Sequence, residues 1–116
     1  MKYFSIFAVF AFFLTSCTNY KEDLLTDPNL CKTENMSFAA DIAPILNNSC
    51  GTSDCHSAGG FAPGYLTNYA DIKTMVDNGK LLFRAGETRD MPPSGPLTDC
   101  EIEKIRSWVD AGAPNN

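Results

Sequence analysis

The chain predicts a small all-α domain, and three observations carry that expectation. Apolar residues recur at helical spacing in three separate stretches, around Ile42, Ile72 and Ile105. The last of these opens with Thr98-Asp99-Cys100-Glu101, a reciprocal capping arrangement that marks a helix start. Once an apolar leader is set aside, roughly 100 residues remain, enough for one domain and too few for two.

The leader comes first. Lys2 is followed by an apolar run from Tyr3 to Leu14, broken only by Ser5, and then by Thr15-Ser16-Cys17. A bilayer crossing needs about 20 apolar residues, so this shorter run reads as a signal peptide over 1–16. Leu14-Thr15-Ser16-Cys17 resembles a bacterial lipobox, which would make Cys17 the lipidated first residue of the mature chain. The alternative is a soluble exported protein cleaved nearby. Residues 17–36 are polar, lack an apolar period and contain Pro28. They read as a tether able to hold a domain on the order of 20 Å from the membrane. Lys21-Glu22-Asp23 resembles the acidic export tag of some surface lipoproteins, although a charge run also simply keeps a linker solvated.

The domain is expected over 37–116. Phe38, Ile42, Ile45 and Leu46 share one face of a first helix. With Asp41 as N-cap, Pro44 falls in the first turn, where no N–H is required; a start at Ser37 would place it in the interior and kink the helix. Either start delivers Cys50 at the helix end. Thr67 or Asn68 caps a second helix carrying Tyr69, Ile72, Met75 and Val76, closed by Gly79. Leu81-Leu82-Phe83 is a short apolar turn or helix. The final helix buries Ile102, Ile105, Trp108 and Val109 and stops at Gly112 and Pro114. Trp108 is expected to pack against the first helix.

Between the first two helices lies Cys50-Gly51-Thr52-Ser53-Asp54-Cys55-His56, which holds the only histidine of the chain. Two thiols followed at once by an imidazole are what covalent haem attachment requires: the sulfurs add to the two vinyl groups and the histidine meets the iron. The spacer here is longer than in C-x-x-C-H, so the loop must bulge to keep both sulfurs at vinyl distance. Gly51 and the polar residues after it suit a bulge. The competing interpretation is a small Cys50–Cys55 disulfide loop with His56 on the surface. Further along, Met91-Pro92-Pro93 offers a thioether, the usual sixth ligand of a carrier cytochrome, in a segment stiffened by two prolines. Met75 is the rival thioether, but its period assigns it to a buried helix face, where packing is its usual role.

Asp41-Ile42-Ala43-Pro44-Ile45-Leu46, the cysteine pair with its histidine, Met91-Pro92-Pro93-Ser94-Gly95-Pro96-Leu97-Thr98, and Glu101 through Pro114 together resemble a planctomycete-type cytochrome c domain, a branch of the class I cytochromes c. The resemblance covers roughly residues 37 to 114. It implies a helical domain wrapped around one covalently attached haem c. Cys50 and Cys55 would form the thioethers, with His56 as proximal ligand and Met91 as distal ligand. It further implies an electron carrier rather than an enzyme, because a His/Met pair leaves no open iron position for substrate.

With Cys17 assigned to lipid and Cys50 and Cys55 to haem, Cys31 and Cys100 remain. An oxidising compartment would pair them, closing a loop of about 70 residues, and the alternative is two unpaired structural cysteines. The formal net charge of −5 argues against nucleic acid and against electrostatic adhesion to anionic lipid. Lys80, Arg84 and Arg89 gather positive charge before Met91, to meet haem propionates, to guide a redox partner, or only as solvated side chains. The expected protein is a monomeric, exported, lipid-anchored cytochrome on the periplasmic or outer surface, with redox proteins as partners. Competing classes are a haem protein with an open distal site acting as a small-ligand sensor, a zinc module on Cys50, Cys55, His56 and Cys100, and a haem-free disulfide-held interaction domain.

Overall fold

Pro44 decides how the first helix is built in the computed structural model, which describes residues 30–52 and 54–116. The N-cap is Ser37, not Asp41. Ser37 Oγ accepts from the Ala40 N–H at 3.3 Å, and Asp41 Oδ2 accepts in return from the Ser37 N–H at 2.9 Å. A π-helical turn, Phe38–Ile42, then leads into α1, Ala43–Ser49. The wide turn resolves the conflict between an early start and the proline. The Ala43 N–H reaches back to the Phe38 carbonyl, and Pro44 lands in the first turn of α1, where its missing N–H removes no helical bond.

Three further helices follow. Asn68 caps α2, Tyr69–Asp77, its Oδ1 accepting from the Asp71 N–H at 3.0 Å. The short α3, Lys80–Leu82, runs into a second π-helical turn, Phe83–Glu87. At α4, Asp99–Asp110, the capping box is complete: Thr98 Oγ1 accepts from the Glu101 N–H at 3.2 Å, and Glu101 Oε2 accepts from the Thr98 N–H at 2.8 Å. No strand occurs among the described residues, and none of the described helices is long and apolar enough to cross a membrane.

Trp108, Ile42, Leu46, Ile72 and Ile105 are the large side chains fully withdrawn from water, and they join α1, α2 and α4 into one core. Each contributes on the order of 1.5–3 kcal/mol of burial. The ring of Phe38 links the three, edge-on to Tyr69 at 5.1 Å and tilted over Trp108 at 5.6 Å between centroids. The chain after α4 folds back on this core. Trp108 Nε1 donates to the Pro114 carbonyl at 2.9 Å, Tyr69 Oη donates to the Ala113 carbonyl at 2.9 Å, and the Ala39 N–H reaches the Asn116 carbonyl at 3.0 Å.

The folded unit runs Cys31–Asn116, so it begins six positions earlier than the expected boundary. Met36 is buried at 6% exposure, and the Thr33 carbonyl accepts from Ser107 Oγ at 2.5 Å. Cys31 and Cys100 form a disulfide with Cα atoms 5.4 Å apart. The end of the supposed tether is therefore a strap laid along α4. The leader over 1–16, the lipobox Cys17 and the tether up to residue 29 lie outside the described residues.

Candidate functional site

The loop between α1 and α2 is shaped by hydrogen bonds that bring its two cysteines back toward each other. The His56 N–H donates to the Cys50 carbonyl at 3.1 Å, closing the run from cysteine to histidine, and the Cys55 N–H donates to the Thr52 carbonyl at 3.0 Å in a tight inner turn. After it the Leu66 N–H meets the His56 carbonyl at 2.8 Å, and Leu66 is itself buried in the core. Gly60 permits a close approach within the loop, because a Cβ there would stand 1.9 Å from the Cys55 carbonyl oxygen.

Cys50 and Cys55 are free thiols, so the small disulfide loop is not formed. Burial, with Cys55 nearby as the lesser cause, pushes the Cys50 thiol up to about 11. At neutral pH it is therefore a protonated thiol and a weak nucleophile. His56 Nδ1 lies 2.5 Å from the Gly64 carbonyl oxygen. A carbonyl only accepts, so Nδ1 is the donor, and in the neutral ring this leaves Nε2 the lone pair that a metal-ligating imidazole needs.

The opposite wall is formed by α3 and the chain beyond it. The Met91 N–H donates to the Arg84 carbonyl at 3.4 Å. Arg84 Nε donates to Asp90 Oδ1 at 2.8 Å, its second nitrogen lies 2.7 Å from Asp90 Oδ2, and Thr88 Oγ1 donates to the same carboxylate at 2.7 Å. The Arg84 bond and then the Thr88 bond hold the Asp90 carboxyl below its ordinary value, while Asp90 in turn raises Arg84. Arg89 takes a left-handed φ of 52° and pairs with Asp99 at 2.6 Å. These pairs clamp the segment that presents Met91 and tie it to the start of α4.

Between the walls lies a cavity of about 530 Å³. It is lined by Cys50, Cys55, His56 and Met91, the four residues singled out as haem-binding, and by Met75. The rest of the lining is largely apolar, with Leu66, Leu81, Phe61 and Phe83 prominent, and its volume falls within the roughly 300–1,000 Å³ of small-molecule and cofactor sites. Phe61 is 85% exposed and Phe83 is 50% exposed, so apolar surface also continues onto the rim. Soft sulfur donors, one imidazole of suitable tautomer and an apolar lining match the chemistry of haem c.

Several expectations change with this geometry. Met75 was assigned to core packing from its period, and it does pack against the core, yet it also borders the cavity. Of the three cations before Met91, Arg84 and Arg89 have carboxylate partners of their own. Lys80 lines the cavity and has no carboxylate partner among the described residues. Cys100 is bound to Cys31, which removes the fourth ligand of the zinc alternative; no cluster of three or more His, Cys, Asp or Glu side chains suited to a metal ion occurs among the described residues. The roles of Gly60, Gly64 and Asp90 carried no signal in the sequence beyond their residue types. Compared with family models, curated proteins and solved structures, the chain matches none of them.

Proposed function

We propose that this chain is a lipid-anchored, extracytoplasmic mono-haem cytochrome c that passes single electrons between redox partners. The observation that carries the proposal is the gathering of both free cysteines, the sole histidine and Met91 around one apolar cavity. The resemblance of residues 37 to 114 to a planctomycete-type cytochrome c domain supports it from the sequence side. When bound, haem supplies the one-electron iron couple.

The residues divide that task. Cys50 and Cys55 provide the two thiols for thioether bonds, from a loop already closed at its ends by the His56–Cys50 bond. His56 would offer Nε2 to the iron while the Gly64 carbonyl holds Nδ1. Met91 would offer its thioether from the opposite wall, a soft donor favouring the ferrous state. Lys80 is the cation at the cavity left to meet the haem carboxylates. Leu66, Leu81 and Ala85 keep water from the interior wall, and the exposed Phe61 and Phe83 leave an apolar rim for a partner's approach. Cys17 would tether the domain to the membrane.

The test is maturation of the full chain in a haem-attaching bacterial host, followed by a pyridine-haemochrome spectrum and intact mass. The expected product carries one haem through two thioethers and a lipid at Cys17, and His56→Ala yields no stable holoprotein. A wild-type chain that leaves the host without haem, or a His56→Ala variant with normal haem yield and spectrum, refutes the proposal.

A further inference from the structure

The imidazole of His56 is braced through a chain of contacts that begins on α2. Its Nδ1 bonds to the Gly64 carbonyl, and Gly64 stands at a φ of +82°. The terminal methyl of Met75 occupies the space that a side chain at residue 64 would take: a Cβ there would lie 1.8 Å from Met75 Cε and 3.6 Å from Sδ. At its other end the same thioether receives the amide of Asn78, whose Nδ2 is 4.0 Å from Sδ. Asn78 is the C-cap of α2, the helix whose Ile72 is locked in the core.

We propose that Met75 is a positioning residue for the proximal imidazole: its methyl packs against Gly64, with Asn78 Nδ2 at the outer edge of hydrogen-bond range of its Sδ, and so fixes the carbonyl that holds His56 Nδ1. The inference rests on the proposed haem-binding function. It gives Met75 a role separate from both distal ligation and core filling. A fixed Nδ1–H···O=C bond raises the electron-donating power of Nε2 and favours ferric iron, so loosening the brace raises the reduction potential.

Met75→Leu tests this, because leucine keeps nearly the same apolar volume but lacks the reach to Gly64. In the matured holoprotein its potential should lie above that of the wild type, while ferrous iron remains closed to carbon monoxide. In the apoprotein labelled with 15N, the ratio of the Nδ1–H to the Nε2–H tautomer of His56 should fall by about twofold or more, because the bond fixes the tautomer. Asn78→Ala keeps Met75 and releases only its sulfur; it should move the potential in the same direction by less, and it serves if Met75→Leu fails to fold. Gly64→Ala should lower haem yield, and adding Met75→Ala should restore part of it by removing the colliding methyl.

Unchanged potential and tautomer in both single variants would return Met75 to ordinary packing and overturn the proposal. A lowered potential with rapid carbon monoxide binding in Met75→Leu would overturn it differently, by making Met75 the distal ligand. A wild-type protein that takes up no haem refutes the proposed function, whereas the apoprotein tautomer still reports on the brace.

Discussion

Replacing both Cys31 and Cys100 by serine should cost this protein a large share of its stability without disturbing the cavity. The two cysteines are separated by 69 positions. In the chain-entropy account, a closed loop of that length removes about 4 kcal/mol of freedom from the unfolded chain. Contacts near the bridge do not lessen this figure, because it belongs to the unfolded state. They decide what remains folded once the bridge is gone. Met36 stays buried and the Thr33 carbonyl keeps its bond to Ser107, so the strap over α4 should stay docked.

Against a total stability of about 5–15 kcal/mol for a domain, the loss is decisive without being fatal. Urea denaturation of the full chain, matured as it is found, measures it. With a slope of about 2 kcal/mol per M, the midpoint should fall by roughly 2 M. Wild-type protein treated with a phosphine reductant should match the variant in stability, and the visible spectra of wild type and variant, both fully reduced, should be the same, since neither cysteine lines the cavity. A loss under about 1 kcal/mol would refute the entropic reasoning. A changed spectrum would show that the strap communicates with the cavity in a way the geometry does not contain.

On the proposed haem-binding reading, Met91→Ala should open the sixth position, lower the reduction potential through loss of the soft donor and let carbon monoxide bind ferrous iron, as difference spectra would record; unchanged ligand binding would refute the assignment of Met91 to the iron. Gly60→Ala should drive a Cβ into the Cys55 carbonyl, where only 1.9 Å is available, and intact mass should show haem held through fewer thioethers or lost. The Asp90 carboxyl is held below its ordinary value by Arg84 and Thr88, so its stabilising contribution is complete above the unfolded value of about 4 and is lost as pH falls through the folded one. Thermal melts of wild type and Asp90→Asn should accordingly differ at neutral pH and converge in acid; parallel curves down to the lowest pH would refute the assignment.

Helices were legible where the signal was local. The capping box at Thr98, the Asn68 cap and the apolar stripe of α4 each reside within a few residues, and each is found where the periodicity placed it. The Cys31–Cys100 bridge was legible by a different route, since assigning the other three cysteines left only this pair. The start of the domain was not legible: Cys31 to Met36 has no apolar period, and the strap is held by single contacts to α4 far along the chain. Nor was the N-cap of the first helix, because the choice between Ser37 and Asp41 turned on whether the backbone could widen by one residue before Pro44. Nothing in a sequence pattern announces a π-helical turn.

The division between these two groups has a physical origin, and it bears on where function resides. The core of α1, α2 and α4 is specified by periodic burial, a statistical signal spread over many positions that tolerates small errors. The cavity walls are loops suspended from that core, and their placement depends on close pairs: residue 60 against 55, 64 against 75, 84 against 90, 89 against 99. The first requires a residue without a Cβ, the second sets a methionine tip against a glycine at a φ of +82°, and the other two require opposite charges. Composition can suggest such residues without naming their partners, since a glycine or a carboxylate fits many loops equally well. Cys50, Cys55, His56 and Met91 could be nominated as candidate donors from their chemistry. That they line one cavity depends on the pairs that set the loops, and it is at those pairs that substitutions should separate loss of the site from loss of the fold.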